Sequence, residues 1–213
     1  MIPARLGSQR LAKKNLKKIG GKSLIELAVK KAIESKIFDE IWINSESDVF
    51  KKYVFEDVVR FHKRPKYLAD NNSTSEDYVY EFMKRHSSKY LVQLHTISPI
   101  LKVETIIEFV NSIVKNNINS QFSVVREQIE CIYDGQPINF NQNKKMNSQD
   151  LKPVERITWS ITAWETDSYI KAYSRGDCAT YSGTISSFPI SREEGIIIKT
   201  SEDLNFARRW LTR

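Results

Sequence analysis

The chain has 213 residues, 40% of them hydrophobic and 11% aromatic, enough for one sizeable core. Its formal charge of +7 admits an anionic partner, but the 33 Lys and Arg are spread among 26 acids with no recognition-helix pattern and no ribonucleoprotein-type aromatic motif, so nucleic-acid binding is carried only as the rival reading. No apolar run reaches the ~18 residues of a membrane span. The basic polar start lacks a signal-peptide core, and Cys131 and Cys178 are solitary, so a cytoplasmic chain with two reduced thiols is expected, without membrane, disulfide or zinc site.

Ile2-Pro3-Ala4 suits the end of a buried strand and runs into Arg5-Leu6-Gly7-Ser8-Gln9-Arg10-Leu11-Ala12-Lys13-Lys14-Asn15. Gly7-Ser8 marks a sharp turn where backbone N–H groups are expected to be presented. Arg5, Arg10, Lys13 and Lys14 supply forked donors and movable point charges, a combination that can surround a triphosphate. A solvated basic surface run is the alternative.

Gly20-Gly21-Lys22-Ser23 ends like a nucleotide-binding phosphate loop, but Leu16 stands where that pattern needs its first glycine. Ser23 with Glu26 reads instead as a capping box opening a helix over 23–35, with Leu24, Leu27, Ala28 and Ala32 at helical spacing. Residues 38–44 read as a strand, 47–55 as a helix and 58–61 as a strand. A loop and cap at Asn71-Asn72-Ser73-Thr74 precede a helix over 75–85. A compact strand at 90–94, an amphipathic helix over 103–115 and a strand at 122–125 complete an α/β alternation that predicts a mostly parallel sheet.

From 126 to 165 the regularity weakens. A turn is signalled at Tyr133-Asp134-Gly135-Gln136-Pro137, with an Asn/Lys-rich loop at 141–147, and short strands and loops are expected there. Residues 181–188 and 195–198 read as strands. Thr200-Ser201-Glu202-Asp203 caps a final helix carrying Leu204, Phe206, Ala207, Trp210 and Leu211.

The order Arg5-x-Gly7-Ser8-x-Arg10-x-x-x-Lys14-Asn15 resembles the N-terminal signature of the sugar-activating cytidylyltransferases, the family of CMP-sialic acid synthetase and, more distantly, CMP-Kdo synthetase. Gln9 departs from it, since many members carry Lys there. Arg64-Pro65 followed by Ser73-Thr74-Ser75 resembles a second segment of the family, and Leu91 to Pro99 a third, with His95 at the position of a family Gln and Ile97 at that of a Thr.

The resemblance implies a Rossmann-like nucleotidyltransferase domain over 1–213, a mostly parallel central sheet flanked by helices, with 126–165 a dimerisation extension exchanged between two subunits. It implies CTP and an acidic 2-keto sugar as partners, giving a CMP-sugar and pyrophosphate. Arg5, Gly7, Ser8, Arg10, Lys14, Asn15, Arg64 and Ser75 would be nucleotide-binding, Arg10 and Lys14 catalytic, and His95 and Ser98 sugar-binding. His95 is read as a hydrogen-bonding group, a proton acceptor or a structural residue. Another nucleotide or acceptor, or a nucleotide-binding protein without turnover, is the alternative.

The family usually places Asp-x-Asp-Thr ahead of the last helix to hold magnesium, and here that run is Ile197-Ile198-Lys199-Thr200. Mg2+ is therefore expected to arrive with the nucleotide, or to be held by Glu193 and Glu194 as substitutes; its protein ligands are not identified by the sequence.

Overall fold

Ser23 opens the first helix as an N-cap, its Oγ accepting from Glu26 N at 3.3 Å, and α1 (Leu24–Ser35) buries Leu24, Ile25, Ala28, Val29 and Ala32. The return half of the capping box is not made. The Glu26 carboxylate pairs with Lys30 at 3.1 Å instead. A full box starts α2 (Ser75–Arg85), where Thr74 N donates to Asp77 Oδ2 at 2.7 Å and Asp77 N to Thr74 Oγ1 at 3.4 Å. The third helix, α3 (Val103–Lys115), buries the Ile106, Phe109, Val110 and Ile113 stripe of its amphipathic pattern. These details come from a computed structural model that describes residues 1–70 and 72–211. Asn71, expected in the loop before α2, and residues 212–213 lie outside the described residues.

Seven strands build the central sheet: β1 (Ile2–Pro3), β2 (Ile41–Ser45), β3 (Val59–Lys63), β4 (Tyr90–Leu94), β5 (Ser120–Glu127), β6 (Val154–Glu165) and β7 (Ile185–Pro189). β3, β2 and β1 pair in parallel. Met1 then joins them to β4, its nitrogen donating to Val92 O at 2.7 Å and its carbonyl accepting from Leu94 N at 3.0 Å. Beyond β4 come β6, antiparallel to both neighbours, then β5, and β7 parallel to β5. The mostly parallel α/β expectation is met.

Strand alternation divides the core between the two faces of this sheet. Ile41 and Ile43 of β2 join Ile25, Val29, Phe109 and Ile113 under α1 and α3, while Trp42 packs with Val79, Phe82, Leu91 and Tyr169 under α2 and α4 (Thr166–Ser174). A third cluster seats α5 (Ser201–Leu211): Leu204 and Ala207 meet Ile19, Leu24, Ile100 and Ile198.

Several expected elements come out differently. Residues 48–53 form a 3-10 run in place of an α-helix. The stretch 154–165, expected as short strands and loops, is one strand whose register shifts between Ile157 and Thr162, with Trp159 at a φ of 56°. Side-chain oxygen replaces the ladder at that bulge, Ser160 N and Ile161 N donating to Ser123 Oγ at 3.1 and 3.2 Å. α4 was signalled by no cap pattern and was not expected.

Residues 195–198 are not a strand. The turn before them crosses directly over the bulge, so close that a Cβ on Gly195 would overlap the Val125 side chain. Ile198 N donates to Ile97 O at 2.8 Å and its side chain enters the third cluster, so the apolar run serves packing and not pairing. Gly20 and Gly21, at φ values of 55° and 80°, are the turn of a small ribbon between Lys18–Ile19 and Lys22–Ser23. A similar tip at Asp134-Gly135 ends the 128–153 excursion between β5 and β6, on which Ile129, Ile132, Tyr133 and Ile138 are exposed. Among the described residues no helix is long and apolar enough to cross a membrane.

Candidate functional site

The strands β1 to β4 end on one side of the sheet, and the segments following β1, β3 and β4 line a cleft of about 370 Å3, where ligand sites of open parallel sheets arise. The first loop is fastened at both ends. Ala4 N donates to Asn44 O at 3.0 Å and Leu6 N to Glu46 Oε1 at 2.8 Å, both on or just past β2. Further on, Lys13 takes a left-handed backbone at φ 51° and starts a single 3-10 turn, Lys14–Leu16. Gly7 was the expected turning point, but its backbone is not left-handed and its Cα faces open space; the sharp reversal is made at Lys13.

Asn15 is the hub of the loop. It is buried, with Nδ2 donating to Arg5 O at 2.8 Å and Oδ1 accepting from Thr96 Oγ1 at 2.6 Å, so the loop is locked to the chain leaving β4. Lys14 Nζ donates to Ile198 O at 3.2 Å and Arg5 Nη1 to Asp70 O at 3.2 Å. Burial, then repulsion from Arg10, Arg5 and Lys199, lowers the Lys14 pKa from its ordinary value. Like charges gathered in this way give the cleft a positive potential.

Arg64, just past β3, is 3% exposed and lines the same cleft. Asn44 holds it, accepting from Nε at 2.5 Å and through its carbonyl from Nη2 at 3.0 Å, while the Tyr78 ring lies 4.1 Å from the guanidinium carbon. Gln93, buried on β4, donates to the Tyr78 hydroxyl at 3.0 Å. Among the described residues none of Arg5, Arg10, Lys14 and Arg64 forms an ion pair with a carboxylate; the ion pairs of the protein lie elsewhere, as at Arg85–Glu81 and Arg156–Glu127.

Arg5, Ser8, Arg10, Lys14, Asn15, Arg64, Ser75 and His95 therefore meet around one cleft. Gly7 and Ser98 do not line it. Ser98 is buried behind His95, with its Oγ unpartnered, so a direct sugar contact through that hydroxyl is not what the geometry offers. His95 also lines the cleft, and burial, with Lys14 and the Met1 amino group nearby, brings its pKa down to about 4. Tyr78, Thr96 and Asp70 line the cleft without having been singled out in the sequence. Tyr78 was within reach: it stands three residues after Ser75 on α2, on the same helix face.

Among the described residues no group of three or more His, Cys, Asp and Glu is placed to hold a metal ion. Glu194, a proposed substitute, is buried and occupied: it accepts from Thr105 Oγ1 at 2.6 Å and Lys102 N at 2.9 Å, tying down the start of α3. Asp203 is likewise committed to Lys199 N and Thr200 N, at 2.9 and 2.8 Å.

Comparison with known proteins agrees with this picture. Residues 1–162 match the family profile described as "Cytidylyltransferase". N-acylneuraminate cytidylyltransferase A of Danio rerio is 30% identical over 127 residues, covering 59% of this chain and 30% of that protein. N-acylneuraminate cytidylyltransferase of Streptococcus agalactiae serotype V is 25% identical over 214 residues, covering 95% of this chain and 50% of that one. The chain thus spans half or less of the length of these relatives. Among solved structures, CMP:2-keto-3-deoxy-manno-octonic acid synthetase complexed with CTP superposes with a TM-score of 0.72 at 16% identity, covering 99% of this chain and 96% of that one, a likeness of fold.

Proposed function

The chain belongs to the cytidylyltransferase family, and on that premise we propose that it activates an acidic 2-keto sugar of the nonulosonic acid type with CTP. The observation that carries the reading is the convergence of Arg5, Arg10, Lys14 and Arg64, none of them ion-paired with a carboxylate among the described residues, on one cleft at the ends of the parallel strands. In the reaction, the anomeric hydroxyl oxygen bonds to the α-phosphorus of CTP and gives up its proton to solvent water, the bond from that phosphorus to the bridging oxygen breaks, and pyrophosphate leaves with the electron pair.

Catalysis of this kind needs placement and charge stabilisation more than covalent chemistry. Arg10 and Lys14 are assigned to the phosphates, where charge moves onto the leaving pyrophosphate. Arg5, Ser8, Asn15, Arg64 and Ser75 hold or shape the nucleotide side, and the neutral His95 faces the sugar side. Any Mg2+ is read as arriving on the phosphates of the nucleotide, and no step is routed through a protein-held ion. The exposed apolar residues of the 128–153 excursion support a homodimer, and the free Cys131 and Cys178 fit a reducing cytoplasm.

Release of pyrophosphate from CTP across a panel of acidic 2-keto sugars tests the reading. CTP binding without release for any sugar would favour a nucleotide-binding protein without turnover. Absence of CTP binding would sink the assignment of the cleft.

A further inference from the structure

Ser98 N donates to His95 O at 3.4 Å, closing a turn directly after β4. Both side chains border a small pocket of about 10 Å3 between that turn and α1, lined also by Leu24, Ala28 and Lys31. Such a volume is the space of about one water molecule. His95 Nε2 and Ser98 Oγ are buried with no partner in the protein. Lys31 Nζ donates to Pro99 O and, at 2.6 Å, to Leu101 O, which leaves its third N–H to be placed. Two orphaned atoms and a spare donor thus share one water-sized space.

We propose that a single water in this cavity accepts from Lys31 Nζ and donates to His95 Nε2, with Ser98 Oγ as its third partner, fixing the imidazole as the Nδ1–H tautomer. His95 then shows the cleft a hydrogen-bond donor, and Ser98 is a positioning residue that acts through His95. The direction follows from charge. An ammonium group only donates, so it turns the hydrogens of the water toward the other two groups. Burial brings the Lys31 pKa to about 8, which leaves it protonated at neutral pH, and the depressed His95 pKa keeps the ring neutral so that Nε2 has a lone pair to offer.

His95 also lines the cleft, and the proposed tautomer gives that side to Nδ1–H. An N–H there binds a substrate oxygen and does not take a proton, so of the roles open to His95 the cavity selects the donor over the general base. The inference rests on the proposed function only for what the donor meets.

Histidine-selective 15N NMR of the free protein at neutral pH tests the tautomer with no turnover involved. The chain has three histidines, and His95 is assigned by the signal that disappears in His95→Gln. The expected wild-type ring carries its proton on Nδ1, and Ser98→Ala converts it to a mixture of tautomers while the melting temperature is kept. A ring protonated on Nε2, or a ring that S98A leaves unchanged, overturns the proposal; should S98A fail to fold, the wild-type tautomer decides alone. In the pyrophosphate assay His95→Gln, which mimics Nε2, should lose roughly 100-fold in turnover. His95→Asn, whose amide nitrogen takes the place of Nδ1, should lose clearly less, and the reverse order would refute the donor role. Wild-type protein that releases no pyrophosphate would count against the proposed function and leave the tautomer result standing.

Discussion

Replacing Asn15 by Leu removes two hydrogen bonds at nearly constant volume and strands both of their partners. The Arg5 carbonyl is bonded at 2.8 Å, and the Thr96 hydroxyl, bonded at 2.6 Å, belongs to a residue only 4% exposed. Each lost bond costs about 0.5–1.5 kcal/mol and the orphaned buried hydroxyl about 1–3 more, so roughly 2–6 kcal/mol is expected for N15L. For a chain of this length that is a fall of about 4–24 °C in melting temperature, readable by circular dichroism. Thr96→Val removes the same hydroxyl from the other side. The two changes should therefore not add, the double variant melting close to N15L. CTP affinity by calorimetry should drop in N15L and T96V together, since both free the loop that carries Arg5, Arg10 and Lys14. An N15L melting point within about 1 °C of the parent, or fully additive losses, would show that this pair does not fasten the loop.

Lys14→Ala and Arg10→Ala should each weaken CTP binding or turnover roughly 10- to 150-fold with an unchanged fold, each removing a charge-assisted contact; unchanged calorimetry and kinetics in both would dismiss the loop as the phosphate site. Magnesium should bind negligibly to the free protein and clearly in the presence of CTP, with turnover lost in EDTA; tight binding to the free protein would reveal carboxylate ligands missed in the cleft. Light scattering should report twice the protomer mass, and Tyr133→Asp with Ile132→Asp should yield monomers; a monomeric parent at high concentration would leave the 128–153 excursion as an ordinary insertion. For Glu194, burial alone would raise the pKa, yet the bonds from Thr105, Lys102 N and Ser191 leave it below the ordinary carboxylate value. Its contribution is therefore full above the unfolded pKa and lost as pH falls through the folded one, so Glu194→Gln should flatten the acid limb of a stability-pH curve, and an unaltered limb would refute the role.

The parts of the fold that were legible in the sequence are those settled by neighbours a few residues apart. The Ser23 cap, the α3 stripe and the apolar run of β4 each carry their own reason locally. What escaped depends on distant partners. The 195–198 run has the composition of a strand, and only its meeting with Ile97 and the α5 cluster makes it a packing segment. β6 hides because its bulge is sustained by Ser123, a residue on another strand.

The site divides in the same way. The cations of the loop announced themselves by spacing, and Arg64 by its Pro. That Arg64 would be buried on Asn44 and Tyr78, and that Ser98 would turn behind His95, follows from contacts between elements that no local pattern encodes.

The bond from Lys14 Nζ to Ile198 O joins residues 184 positions apart. The cleft therefore needs both ends of the chain in place, and we expect a refolding chain to complete it after the strands and helices whose contacts are local. A nucleotide analogue added during refolding would bind only in the slowest phase, which makes ligand binding a reporter of complete folding, and damage to α5 a way of losing the cleft from its far end.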